Sequence, residues 1–257
     1  MSADIAALQI ANDVRWGNAT FTRGAEFAPV AERLVAAKPR YQTVEAKTGV
    51  PWWAIAVIHE REAAQAWDCN IAQGDRWDRV STHVPKGRGP FANWEAAAVD
   101  ALVACAPHAA RWTDWSPGGA MTLLEQYNGL GYFHRGLPSP YIWSGTDQYV
   151  KGKYVRDGVF DADAVDRQLG CAGLVIAMQA LDPSIRFGAT PPSGAVRAPP
   201  KEKKRSPAVS TGVGVALVSG AAVAAVQARL SLWAMVPILA VVAVAGALIA
   251  HKMQKKG

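Results

Sequence analysis

Four ionisable residues in a row, His59-Glu60-Arg61-Glu62, follow directly on the apolar run Trp52-Trp53-Ala54-Ile55-Ala56-Val57-Ile58. A carboxylate placed at the edge of a core must be paired or protonated, because an ionised group removed from water is costly. The protonated state is the one a general acid needs. Read as a helix, the run puts Trp52, Ile55, Ile58/His59 and Glu62 on one face, apolar for two turns and then ionisable. Glu62 then sits near the negative end of the helix dipole, beside Ile55 and Ile58, and both effects raise a carboxyl pKa. Glu60 points roughly 200° away, two residues at about 100° each, so the two glutamates do not share a site. His59 and Arg61 could each pair with a glutamate. A structural ion-pair cluster at a helix end is the alternative reading of the same four residues.

Other chemistries have less to stand on. His-Glu-Arg-Glu is not the His-Glu-x-x-His pattern of a zinc site, and a single His-x-x-Glu does not build a di-metal centre. No metal and no cofactor is expected. Cys69, Cys105 and Cys171 show no CxxC spacing and are expected as free thiols.

The elements around this stretch follow from local signals. Glu26 to Ala37 reads as an amphipathic helix ended by Pro39, and Tyr41 to Thr48 as a second. Gly49 takes a left-handed C′ position, and Pro51 opens the helix that carries Glu62. Residues 64–92 hold Gly74, Pro85, Gly87, Gly89 and Pro90 and read as a long loop with a small hairpin near Val80 to Val84. Asn93 caps a helix through Trp94-Glu95-Ala96, and Ser116-Pro117 caps the next, which turns Met121, Leu124 and Tyr127 inward. Tyr127-Asn128-Gly129-Leu130-Gly131-Tyr132 breaks that helix. An aromatic loop follows over 139–158, and Asp161 or Asp163 opens a last helix ending at Leu181. The expected fold class is mainly α, with a small irregular or β lobe.

Half of the 257 residues are apolar, enough for a substantial core, and ten are Trp. Trp more often packs a core than stacks on a ligand, and both uses are open for each. The net charge of +6 is local: up to Thr190 there are 18 Lys+Arg against 20 Asp+Glu, and the remainder holds 9 against 1. A basic folded face for nucleic acid is therefore not expected.

The order of these motifs resembles a known superfamily. A helix ending in Glu, a loop with Gly-Asp 13 residues on, and a Tyr-Asn-Gly turn ending a later helix resemble lysozymes, above all goose-type lysozymes and lytic transglycosylases. The fuller pattern HxRE…NxxxGD…PxGR…YNGxGY…SPYxWSGT…YxxGKYxxDG, over roughly residues 40–181, is similar to a group of phage and prophage endolysins. The resemblance implies a lysozyme-like domain over 1–187 that cleaves the β-1,4 bond between N-acetylmuramic acid and N-acetylglucosamine in peptidoglycan. It implies Glu62 as the proton donor and Asp75 as the carboxylate that positions water, with Asp68 and Asp78 as substitutes. Tyr127, Asn128, Gly129, Tyr141 and Trp143 would bind the glycan, with packing an equal reading for Tyr141 and Trp143. Inverting hydrolysis wants roughly 6.5–9.5 Å between the two carboxylates. Ala63 stands where these families usually carry Ser, and their Gly-Leu-Met-Gln stretch is absent. Attack by the substrate's own 6-hydroxyl, giving a 1,6-anhydro product, therefore stays open beside hydrolysis, as does a non-catalytic glycan-binding module. The turn at 85–90, Pro-Lys-Gly-Arg-Gly-Pro, could meet acidic peptide stems.

The C-terminal part has a different composition. Residues 188–207 form a Pro/Lys-rich linker with Lys201-Glu202-Lys203-Lys204-Arg205 near its end. Two uncharged runs, Ser206–Ala228 and Leu230–Ala250, each have about the 20 residues that cross a bilayer. They are expected as a transmembrane hairpin over 208–251, with 230–250 the stronger span and 252–257 a basic tail. Gly, Ala and Ser in the first run suit close packing of membrane helices and their self-association. Positive residues at both outer ends put both in the cytoplasm. The expected place is the inner membrane, with membrane lipid as partner and the catalytic domain cytoplasmic until lysis.

Overall fold

The computed structural model describes residues 3–188, and within them the fold is mainly helical with one small sheet. The helices are α1 (Ala3–Asn18), α2 (Gly24–Ala36), α3 (Lys38–Thr48), α4 (Trp52–Ala63), α5 (Trp94–Val103), α6 (Pro117–Asn128), α7 (Pro140–Trp143) and α8 (Cys171–Leu181). Strands β1 (Lys153–Arg156) and β2 (Val159–Asp161) pair antiparallel. The linker at 188–207 beyond Gly188, the membrane hairpin at 208–251 and the tail at 252–257 lie outside the described residues. Among the described residues no helix is long and apolar enough to cross a membrane.

The centre of the fold is α4. Its spacing predicts one apolar face, but every residue from Trp52 to His59 is buried. The reason is that α2, α3, α6 and α8 all pack on it, so no face is left for water. Burying Ile55 and Ile58 alone is worth about 1.5–3 kcal/mol each. The helix therefore holds its last turn, with Glu62, in a fixed place.

Local signals account for several element ends. Gly49 is left-handed (φ 73°) and closes α3, and Pro51 lies just before the first turn of α4. Asn93 Oδ1 accepts from Ala96 N at 2.8 Å, and Ser116 Oγ from Gly119 N at 3.1 Å, each capping its helix. α1, which packs along α6, carries no such signal in the sequence reading.

Two expectations are corrected. No hairpin forms near Val80 to Val84, and both valines are exposed. Backbone donors there are spent locally: Thr82 N and His83 N go to Asp75 Oδ2, and Ser81 N goes to Arg88 O. The hairpin lies instead at 153–161, around the Asp157-Gly158 turn (Gly158 φ 69°). The last helix begins at Cys171, not at Asp161 or Asp163. Asp161 Oδ1 takes the N–H groups of Asp163 and Ala164 and so holds a turn. Gly170 then precedes the helix at a place where a Cβ would lie 2.4 Å from Ile142 O.

Candidate active site

The last turn of α4 sends its four ionisable side chains in different directions. His59 is fully buried between Tyr41 OH (3.1 Å to Nδ1) and Ala66 O (3.0 Å to Nε2), and burial pushes its pKa down to about 4. It is a neutral core histidine. Glu60 turns to Arg33, 3.5 Å away. Arg61 pairs with neither glutamate: its Nη2 donates to Asp166 Oδ2 at 3.0 Å and its Nη1 to Leu169 O at 3.2 Å. Its guanidinium also lies 4.7 Å from the centre of the Tyr141 ring.

Glu62 faces the opposite way from Glu60. Its Oε1 accepts a hydrogen bond from the Tyr141 hydroxyl at 2.9 Å. Burial raises its pKa to about 7, against the Tyr141 hydrogen bond and the nearby Arg61 charge, which both pull it down. The residue as a whole keeps partial solvent exposure. A carboxyl group that holds its proton near neutral pH can deliver that proton to a ligand bound against it.

The chain leaves α4 through two consecutive left-handed residues, Ala64 (φ 48°) and Gln65 (φ 60°). Each costs about 1–2 kcal/mol for a residue with a Cβ. Gln65 offsets this with bonds from its Nε2 to Arg33 O (3.1 Å) and Tyr41 OH (3.2 Å). The loop then returns to the helix end. Gly74 (φ 73°) lies where a Cβ would be 2.9 Å from the Glu62 carbonyl oxygen. Tyr127 OH donates to Ile71 O at 2.9 Å, tying the end of α6 to the same loop.

Asp75 follows Gly74 but its carboxylate is already engaged. Thr82 N (2.8 Å), His83 N (3.0 Å) and His83 Nδ1 (2.6 Å) all reach it. These bonds, the His83 N–H foremost, hold its pKa down to about 2. Asp68 and Asp78 are both paired to Arg76 on the surface.

A cavity of about 520 Å³ opens beside Tyr141. Asn128, Gly129 and Tyr141 line it, so three of the expected glycan-binding residues meet there. Tyr127 serves the loop instead, and Trp143 is fully buried, out of reach of any ligand, so its use is packing. The far wall comes from Tyr132, Lys153 and Tyr154, which stand in the quoted motifs without being expected to bind glycan, and from Arg156, which stands between motif positions. The Tyr132 hydroxyl accepts from Tyr154 N at 3.0 Å, and the Tyr154 ring lies against Gly131, which fixes the hairpin to the loop after α6. Asp157-Gly158, a turn dipeptide that the sequence analysis passed over, is the local signal that marks this wall.

Lys153 Nζ donates to Asp166 Oδ1 at 2.9 Å, so Asp166 serves both Lys153 and Arg61. In the 85–90 turn, Arg88 is taken up by Asp100, its Nε 2.9 Å from the carboxylate. Among the described residues no group of three or more His, Cys, Asp or Glu could hold a metal ion. No protein-family model, curated protein or solved structure matches the chain.

Proposed function

We propose that this chain is a peptidoglycan glycosidase of the lysozyme-like, phage-endolysin kind, with Glu62 as its general acid. The observation that carries the reading is Glu62 itself, a partly exposed residue whose carboxyl has a pKa of about 7 and is hydrogen-bonded by Tyr141; Tyr141 lines the cavity, and Glu62 reaches it only through that residue. Glu62 protonates the oxygen between N-acetylmuramic acid and N-acetylglucosamine as the bond breaks, and burial supplies the raised pKa this step needs. Asn128 and the backbone at Gly129 contact the sugar from the cavity that Tyr141 also lines. The cleaved partner is the glycan strand, and the reaction calls for no cofactor.

Two fates of the cleaved sugar follow from two uses of Asp75. If Asp75 activates water, the product carries a reducing end. The engagement of both Asp75 oxygens by Thr82 and His83 favours the second outcome, in which the muramic 6-hydroxyl attacks and a 1,6-anhydro end forms. Mass spectrometry of purified walls digested by the full-length chain separates them. Muramic reducing ends establish hydrolysis and anhydro ends the transglycosylase reaction. Release of new amino groups without new sugar ends contradicts both. A non-catalytic glycan-binding module gives none of these products.

The proposed setting is the inner membrane, through the two uncharged runs in 208–251, with the domain held inside until lysis. Protease added outside an intact inner membrane spares residues 1–187 on this reading and degrades them otherwise.

A further inference from the structure

We propose that Arg156, together with Lys153, binds a carboxylate carried by the muramic-acid unit of the substrate, which makes the hairpin wall of the cavity a specificity element. This rests on the glycosidase reading above and adds what part of the polymer the site reads.

The cavity is lined by three cations, Arg61, Lys153 and Arg156, and two anions, Asp157 and Asp166, a difference of one positive charge. The excess is not evenly placed. Asp166 is buried and is shared by Arg61 and Lys153, so two cations answer to one carboxylate. Lys153 is only partly buried and spends one of its three N–H donors on that bond. Arg156 is exposed and forms no ion pair with any described residue. Glu62 does not line the cavity itself and is joined to it through Tyr141, which does.

The strand presents both cations to the cavity because of its register. Tyr154 pairs with Phe160 and Arg156 with Val159, so Val155 is an extra residue at a bulge. Bulges re-aim side chains, and here Lys153, Tyr154 and Arg156 all line the same space. Arg135 steadies the arrangement from below, its Nε donating to Tyr154 OH at 2.8 Å. A guanidinium matches a carboxylate with two parallel N–H donors.

Along the glycan, only the muramic unit carries carboxylates: on its peptide stem, or on the bare lactyl group once the stem is removed. N-acetylglucosamine has none. A cationic wall on the cavity that Tyr141 links to Glu62 therefore distinguishes the two sugars by charge and sets which of them the cavity holds.

The test compares the full-length chain with Arg156→Gln and Arg156→Lys on two substrates: native purified walls, and the same walls with carboxyl groups converted to amides. Amidation is expected to lower the wild-type kcat/KM by about fivefold, the size of a partly exposed charged contact. Arg156→Gln loses a similar factor on native walls and is then insensitive to amidation, while Arg156→Lys keeps most of the sensitivity. Walls stripped of stems by an amidase separate the sources: retained dependence on Arg156 points to the lactyl carboxylate, and lost dependence to the stem. Equal sensitivity to amidation in the wild type and Arg156→Gln overturns the proposal and leaves the glycosidase reading intact. No muropeptide release by the wild type from native walls overturns the glycosidase reading, and this proposal with it.

Discussion

The Tyr141 hydroxyl donates to Glu62 Oε1 across 79 positions of sequence, at 2.9 Å. The bond stabilises the ionised form of Glu62 and so lowers a pKa that burial raises. Tyr141→Phe removes the bond and keeps the ring under Arg61. The pKa of Glu62 then rises above its value of about 7, and the basic limb of the pH–activity profile moves to higher pH. A profile that stays in place or moves to lower pH contradicts the role of Tyr141.

Asp166→Asn has the opposite sign. Asp166 neutralises Arg61, and its loss leaves an uncompensated cation near Glu62 that favours the carboxylate. The basic limb moves to lower pH. Both side chains of the pair are nearly out of solvent, so breaking it costs about 3–5 kcal/mol. Chemical denaturation measures the loss, and the pH profile separates the effect on Glu62 from the loss of stability.

Gly74→Ala tests the seating of the loop on α4. The new methyl would meet the Glu62 carbonyl oxygen at 2.9 Å from a left-handed backbone (φ 73°). About 1–2 kcal/mol of stability is lost. Activity at a temperature well below unfolding falls as well, because the helix end that aims Glu62 must shift. Unchanged activity would show that the loop does not set the acid's position.

Glu125 gives a stability prediction independent of the reaction. It is buried between α6 and α1, where Asn12 Nδ2 reaches its Oε2 at 3.4 Å and its Oε1 has no donor. Burial raises its pKa from 4.5 to about 7. A raised folded-state pKa contributes stability below about pH 4.5 that is lost as pH rises toward 7. Glu62 acts in the same direction and window. His59, whose folded-state pKa is lowered to about 4, acts oppositely up to about pH 6.5, one group against two, so the melting temperature falls between pH 5 and pH 8 by less than the two glutamates alone would give. In Glu125→Gln the fall is smaller and the variant is more stable than wild type at pH 8, by about 1–3 kcal/mol. A wild-type melting temperature that rises over this range contradicts the assignment.

What could be read from the sequence is what local chemistry decides. Asn93, Ser116 and Gly49 mark helix ends because a cap involves residues within one turn of each other. Helical phase alone separates Glu60 from Glu62, and the structure sends one to Arg33 and the other to Tyr141. The Asp157-Gly158 turn was equally local, yet the hairpin was sought in the valine-bearing loop, where the Asp75 carboxylate takes the backbone donors. The pairing of Arg61 with Asp166, 105 residues away, had no local signal, since any nearby carboxylate looked as suitable. The same holds for Trp143, whose burial depends on helices that meet only in the folded chain.

The proposed reaction turns on Glu62 delivering the proton. The most direct measurement is mass spectrometry of muropeptides released from purified walls by the full-length chain and by Glu62→Gln, which keeps the size of the side chain and cannot act as an acid. The wild type is expected to release sugar-end products, and the variant to do so at a rate lower by a factor of about 10²–10⁴, at unchanged melting temperature near pH 5. Release by Glu62→Gln at the wild-type rate would contradict it.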